Sequence, residues 1–396
     1  MMKTVKLCEV ATISAGNSAP QEEKLFKDGA HNFVRTSDVG KIRKGIIFEA
    51  RDKLNNEGIL KLKIFPKGTI LFPKSGASTF LNHRVMLGMD AYVSSHLATI
   101  KADNSKILDN YLFYILQTID ARNLVTDSAY PSLKTKTISE IKLVLPTIEA
   151  QHQTITILDA AFAEIDKLIF ISRRKKIELN KLYISAVDKE LLSDIGVNIV
   201  RLKEIAKIKG GKRIPKGKKL LNTSTKFPYI RVTDFNNKGT VNETSVKYIS
   251  KDIQKEISRY TISTKDVYVS IAGTIGKTGV IPDSLNNANL TENAAKIVLD
   301  DECLRDYFYY FTTSKSFADQ VLQQTHTSAQ PKLALTRLGE VKFPLPSISI
   351  QKEKIDKIKS IQKYKNSLTD IAKKNIEHFK NFKLKFLSEK LNGEIA

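Results

Sequence analysis

Gly276-Lys277-Thr278, inside the stretch SIAGTIGKTGVI (270–281), reproduces the last three residues of a phosphate-cradling loop. Such a loop needs another glycine five residues before its Gly-Lys pair, so that main-chain N–H groups curl around the phosphates. Ile271 stands there, after the apolar run DVYVSIA, and the segment reads as a strand followed by a tight reversal. Arg35 with Asp38, and Arg231 with Asp234, set opposite charges three residues apart and read as fold-stabilising pairs. Metal-dependent cleavage would need clustered carboxylates beside a lysine; Pro282-Asp283 is followed by Glu292, but Ala294 takes the lysine position. No Pro-Pro dipeptide exists to build an adenine-methylating loop, and no histidine pairs with a serine or cysteine nucleophile. His96, in an apolar run, reads as a packing histidine. No catalytic and no metal-ligating residue is therefore assigned.

The elements that position these residues begin with size and charge. A chain of 396 residues with 41% hydrophobic content has room for two or three domains with cores of their own. Lys plus Arg number 64 against 42 for Asp plus Glu, a formal net charge of +22. That excess points to a polyanionic partner, nucleic acid first, with an anionic membrane surface as rival. No apolar run approaches the roughly 18 residues of a membrane span, and MMKTVKLCEV lacks the apolar core of a signal peptide, so a cytoplasmic protein is expected. Cys8 and Cys303 are far apart and outside any zinc-type cluster, and both read as packing residues.

The chain repeats itself. KLCEVATISAGNSAP (6–20) matches RLKEIAKIKGGKRIP (201–215), FVRTSDV (33–39) matches YIRVTDF (229–235), and LFPKSGAS lies opposite VSIAGTIG with Gly76 on Gly273. SSHLATIKAD (94–103) matches TENAAKIVLD (291–300), LDNYLFYIL (108–116) matches LRDYFYYFT (304–312), and SAYPSLKTKTISEIKLVLPTIEAQHQTI (128–155) matches SAQPKLALTRLGEVKFPLPSISIQKEKI (328–355). Each copy opens with short β-rich runs (GTILF, LATIKA, IKLVL), turns and one apolar helix, an α/β or α+β pattern. Each then becomes a long stretch without Pro or Gly, starting with Pro146 or Pro346 in the first helical turn. Leu158, Phe162, Ile165, Ile169, Leu179, Tyr183 and Ala186, and in the second copy Ile355, Ile358, Leu368, Ile371, Phe379, Phe382 and Phe386, fall at helical steps. The expected architecture is two pseudo-repeat globules, 1–145 and 196–345, each followed by a long helix, 146–195 and 346–396, polar on its outer side, the two helices being natural partners for one another. The competing arrangement packs each helix on its own globule.

Phosphate contacts are expected from KIRK (Lys41, Arg43, Lys44) and GGKRIPKGKK (Lys212, Arg213, Lys216, Lys218, Lys219), where clustered like charges call for a polyanion. Base contacts need directional donors. These gather in PKSGAST with NHR (Lys74, Ser75, Asn82, Arg84), set opposite AGTIGKT with NNAN (Thr274, Lys277, Asn287), and in SAYPSLK (Ser128, Tyr130, Lys134), set opposite THTSAQPK (Thr327, Gln330, Lys332). The competing reading makes the reversals structural, without a ligand.

Two globules, each followed by Leu-Pro-x-Ile-x-x-Gln-x-x-x-Ile opening a long helix (Leu145, Pro146, Ile148, Gln151, Ile155; Leu345, Pro346, Ile348, Gln351, Ile355), resemble the specificity subunit of type I restriction-modification systems. The resemblance covers essentially the whole chain, although Thr147 and Ser347 stand where the family often has a second proline. It implies a non-catalytic reader of a split, asymmetric site in double-stranded DNA, with two target-recognition domains joined by the two long helices as an antiparallel coiled-coil spacer that docks two methyltransferase subunits, and restriction subunits through them. Pro146, Gln151, Pro346 and Gln351 would mark the helix starts and the docking surface. S-adenosylmethionine, ATP and Mg are then expected only in partner subunits, with no cofactor in this chain. The alternatives are a divergent DNA-modifying enzyme and a basic scaffold for RNA or an acidic protein.

Overall fold

Turn-bounded apolar runs become strands and the apolar 3.6-residue patterns become helices. The computed structural model describes residues 3–125, 132–193, 197–325 and 331–391. Contacts divide the chain into Met1–Ile171 with Asn375–Ala396 (unit 1) and Ser172–Lys374 (unit 2). The principal helices are α1 (Asp109–Thr118), α2 (Ile148–Leu192), α3 (Arg305–Thr312) and α4 (Ile348–Lys390).

In unit 1 the strands β1 (Ala11–Ala15), β2 (Lys44–Ile47), β3 (Ile70–Pro73), β4 (Arg84–Leu87) and β5 (Leu97–Ala102) form a sheet in the order β1-β5-β3-β4-β2. Alternation sorts its side chains. Ile70, Phe72, Met86, Ala98 and Ile100 face α1 and the start of α2; Leu71, Val85, Leu87 and Leu97 face a core with Val34 and Val93 of a smaller four-stranded sheet. Unit 2 repeats the plan with β6 (Ala206–Gly210), β7 (Val267–Ser270), β8 (Thr278–Gly279) and β9 (Ala294–Leu299), ordered β6-β9-β7-β8. Val267, Val269, Ala295 and Ile297 face α3, while Tyr268 and Ala294 face its own smaller sheet. Each smaller sheet has a parallel central pair, 31–34 with 91–93 and 228–230 with 288–290.

Both long helices are continuous. In unit 1 the start of α2 (Leu158, Phe162, Ile165, Ile169) shares a core with the end of α4 (Leu387, with Ile376, Phe379 and Phe386), and Lys383 reaches Asp166 at 2.8 Å. In unit 2 the end of α2 (Val187, Leu191) shares a core with the start of α4 (Ile355, Ile358), and Lys357 reaches Glu190 at 3.4 Å. Within each unit the helices are thus antiparallel, and each also packs on the globule, so the two expected arrangements coexist.

Several expectations are corrected. Pro146 and Pro346 lie ahead of the helices, not in their first turns. Thr147 is the cap, its hydroxyl accepting the Ala150 N–H at 3.3 Å and its carbonyl the Gln151 N–H at 3.0 Å; the Ser347 carbonyl accepts the Gln351 N–H at 2.9 Å. A side chain that can cap replaces the second proline because an N-cap must satisfy free N–H groups. On α4, Leu368, Ile371 and Phe382 are exposed by 48%, 51% and 53%, and Ala372 and Leu387 are buried in their stead. A helix that faces both a globule and another helix shifts its buried stripe along its length, so one straight seam does not describe it. The outer sides are accordingly not uniformly polar. Cys8 is exposed rather than packed, whereas Cys303 is buried, which pushes its thiol up to about 12.

Candidate nucleic-acid interface

Strand registers bring distant segments to one end of each larger sheet. In unit 1, β1 ends at Ala15, opposite Ala98 near the start of β5, and β3 ends at Pro73, opposite Leu97. Lys44 and Arg84 open the parallel strands β2 and β4 side by side. Gly16-Asn17, the reversal 74–83, the turn at Ser95-His96, Arg43 and residues 132–134 therefore share that end. The last of these is stitched on by a Ser75–Ser132 bridge and by the Leu133 N–H donating to the Lys74 carbonyl at 2.8 Å.

Unit 2 has the same stitching: Ala272 bridges Lys332, and the Leu333 N–H donates to the Ile271 carbonyl at 2.9 Å. Gly76 and Gly273 occupy matching places at φ 68° and 75°, the left-handed region that glycine enters without a Cβ clash. Gly16 and Gly211 match as well. A Cβ there would lie 2.3 Å from the Ser94 carbonyl oxygen and 2.1 Å from that of Thr291, so only glycine lets the chain pass. Gly211 delivers Lys212 and Arg213 to this end. Ile214 and Leu220 then pack on the cluster around Ile253, leaving Lys216, Lys218 and Lys219 exposed between two apolar anchors.

The candidate residues sort by what the fold does with them. Lys41, Arg43, Lys44 and Lys134 in unit 1 and Lys212, Lys216, Lys218, Lys219 and Lys332 in unit 2 are exposed; Lys74 is half-buried. Among the described residues none of these ten makes an ion pair. The Lys44 ammonium, tucked toward the Gln117 carbonyl at 3.5 Å, is held below the ordinary lysine range by burial and then by Arg84 and Lys383. Arg213 is exposed but bound to Glu292 at 2.6 Å. Ser75 and Thr274 stay in their reversals. Ser128, Tyr130, Thr327 and Gln330 lie outside the described residues.

Four assignments change. Arg84 is fully buried: its guanidinium lies 3.3 Å from the Phe72 ring centroid and donates to the His83 and Ile119 carbonyls at 2.8 and 3.2 Å. Burial pushes it down to about 9, and its donors are turned to main-chain carbonyls inside the fold. Asn82 spends its amide internally, donating to Asp120 and accepting from the Ala121 N–H, both at 2.8 Å. The Lys277 ammonium donates to the Phe235 carbonyl, and the strand β8 that follows it, not a helix, rules out a phosphate loop. Asn287 is exposed, but at φ 64° it turns the chain into the smaller sheet. NHR and NNAN are not equivalent in the two repeats: by strand pairing Arg84 has the place that Thr278 has in unit 2, and Tyr92 that of Asn289.

Gln151 and Gln351 are also reassigned, because neither reaches the surface. Gln151 accepts the Leu108 N–H at 2.9 Å and donates to the Lys106 and Pro146 carbonyls, both at 3.1 Å. Gln351 accepts from Leu304 and donates to Glu302 and Pro346, each at 2.8 Å. Each amide locks the start of a long helix to the start of α1 or α3, which leaves no donor for a docking subunit. The Arg-Asp pairs are structural: Asp234 is fully buried and holds Arg231 at 2.7 Å, while Arg35 turns instead to Asp52 at 2.5 Å.

Sequence reasoning missed two histidines. His96 is exposed in a turn at the reading end, not packed in a strand, and its carbonyl accepts the Lys74 N–H at 3.1 Å. His83 neighbours Arg43, Arg84 and Lys44, and burial together with these cations holds its ring below the usual imidazole range. The signal was present, since each histidine adjoins a stretch rich in turn residues, but strand pairing was needed to use it.

A sheet end that gathers unpaired cations and directional side chains, built twice in one chain, has the chemistry to take a polyanion. The model of the type I restriction modification DNA specificity domain matches residues 1–180 and again 195–383, and the chain belongs to that family. It is 25% identical over 331 residues to the type I restriction enzyme MjaVIII specificity subunit of Methanocaldococcus jannaschii, covering 78% of this chain and 76% of that one. It is 21% identical over 369 residues to the EcoBI specificity subunit of Escherichia coli, covering 84% and 76%. Its fold is similar to a chain solved in work on complex assembly and conformational transition of the type I restriction-modification system (TM-score 0.71, 16% identity, 100% and 98% covered). It also resembles the HsdS subunit from Thermoanaerobacter tengcongensis (TM-score 0.51, 16% identity, 100% and 97% covered).

Proposed function

We propose that each unit reads one half of a bipartite, asymmetric DNA site, and that the chain recruits methyltransferase subunits, two per chain, and restriction subunits through them. The observation that carries this reading is the repeated convergence, at the same end of each larger sheet, of cations without carboxylate partners and of polar reversals. Lysine and arginine on such a surface take phosphates and release counterions, while the loops between strands meet base edges. The two ends carry different side chains, so the halves of the site should differ. The 1–145 and 196–345 globules are the readers in this proposal, and the 146–195 and 346–396 segments the spacer.

Docking passes from the buried glutamines to the outer side of α4. Tyr364, Leu368 and Ile371 stand at i, i+4 and i+7, all exposed, Tyr364 by 72%. Such an apolar stripe suits a protein partner. Methyl transfer with S-adenosylmethionine, and ATP- and Mg-dependent work, belong in this proposal to the partner subunits, all acting in the cytoplasm; among the described residues no helix is long and apolar enough to cross a membrane. Co-expression with a methyltransferase subunit and mapping of methylated adenines tests the reading. A gapped, two-part target is expected; a single ungapped target, or tight binding of S-adenosylmethionine by this chain alone, would refute it.

A further inference from the structure

The two reading ends differ in the reversal that joins β3 to β4 in unit 1 and β7 to β8 in unit 2. In unit 2 it is short: seven residues, 271–277, join β7 to β8. Ser270 cinches it, its hydroxyl donating to the Thr274 carbonyl and accepting the Lys277 N–H at 2.8 Å. The loop's large apolar residues, Ile271 and Ile275, both pack against the core of unit 2. In unit 1 ten residues, 74–83, join β3 to β4 and wind into a 3-10 turn, Gly76–Leu81.

That turn is braced from both sides. Thr79 is fully buried, and the Ser78 hydroxyl donates to the Ser75 carbonyl at 2.8 Å. Asn82, left-handed at φ 51°, is clamped by Asp120 and Ala121. Leu81 sits between these fixed points and is 60% exposed. A lone exposed leucine is ordinary on a protein surface. This one stands on a turn held by the Ser78 and Asn82 hydrogen bonds at the cationic end, where Lys74, Arg43 and Lys134 lack carboxylate partners. An aliphatic side chain offers nothing to a phosphate or a base edge; in the major groove its match is the thymine C5-methyl group.

We infer that Leu81 is a specificity-determining residue of unit 1 that packs on a thymine methyl in one half-site. The inference rests on the reading of the chain as a two-part DNA reader. It makes the longer reversal the device by which the first unit reads a base that the second cannot read in the same way.

The test uses the chain in complex with its methyltransferase partner and duplexes carrying the mapped site, with each thymidine replaced singly by deoxyuridine to remove one methyl. The parent complex should lose about fourfold in affinity at one thymine of one half-site, the scale of one buried methyl. Leu81→Ala should bind the all-thymidine duplex weaker by a similar factor, should no longer distinguish deoxyuridine there, and should unfold at the parent midpoint. Leu81→Met should keep the discrimination. The inference is overturned if the parent tolerates deoxyuridine at every position, or if Leu81→Ala remains as sensitive as the parent. A complex without any two-part target would instead overturn the reading on which the inference stands.

Discussion

Replacing Gln351 by alanine isolates what fastens a long helix to its globule. The amide is fully buried and makes three hydrogen bonds, each at 2.8 Å, to the Leu304 N–H and to the Glu302 and Pro346 carbonyls. A net contribution of about 1 kcal/mol per bond gives about 3 kcal/mol, and leaving the Leu304 N–H without a partner raises the cost toward about 5 kcal/mol. Urea unfolding followed by circular dichroism should therefore show a large fall in the midpoint of the unit 2 transition. Gln351→Glu sharpens the test. The carboxylate still accepts from Leu304 but turns its second oxygen toward two carbonyls, so the folded protein favours the protonated acid. Its folded pKa is raised, and the variant's stability relative to the parent should fall as pH rises above about 4.3, the value of a free glutamate. A loss below about 1 kcal/mol for the alanine variant, or no pH dependence for the glutamate variant, would show that the amide does not anchor the helix.

Removing Lys216, Lys218 and Lys219 together should lower the slope of log affinity against log salt by about 2 to 3, roughly 0.9 per phosphate contact, and leave the mapped target unchanged. Gly16→Ala and Gly211→Ala should each lower the unfolding midpoint, because the new methyl would meet main-chain carbonyl oxygens at 2.3 and 2.1 Å; Gly40→Ala, in the short helix Thr36–Ile42 with nothing within 4 Å, should raise it. A thiol reagent at pH 8 should modify exposed Cys8 rapidly and buried Cys303 only on unfolding, as mass spectrometry of digested protein would show. Serine at Tyr364, Leu368 and Ile371 should leave the unfolding midpoint close to that of the parent but abolish co-purification with the methyltransferase subunit.

The two units share one scaffold and differ in their reversals. Strand register, the paired glycines and the stitching to residues 132–134 and 332–334 are the same in both units. What varies is a loop of ten residues against one of seven. Loops tolerate such change because they lie outside the hydrogen-bonded sheet. A further difference is the edge strand β2, which follows Arg43 (φ 69°) and has no counterpart among the described residues of the larger sheet of unit 2.

The sequence by itself determined the duplication, the strands, the long helices and the excess of cations, because each is written in neighbouring residues: period, composition and repeated order. It also rejected the phosphate loop at Gly276-Lys277-Thr278, whose missing glycine is a local fact. Which cations face outward was decided only by tertiary structure. Arg84 reads like Arg43 in a list of charges, yet it stacks on Phe72 inside the core, since the register of β4 against β3 and β2 turns its side chain inward. Gln151 and Gln351 likewise look like surface residues at helix starts until α1 and α3 bring N–H and carbonyl groups that only a buried amide can satisfy. Burial and hydrogen-bond satisfaction depend on partners tens of residues away, and no local pattern names them.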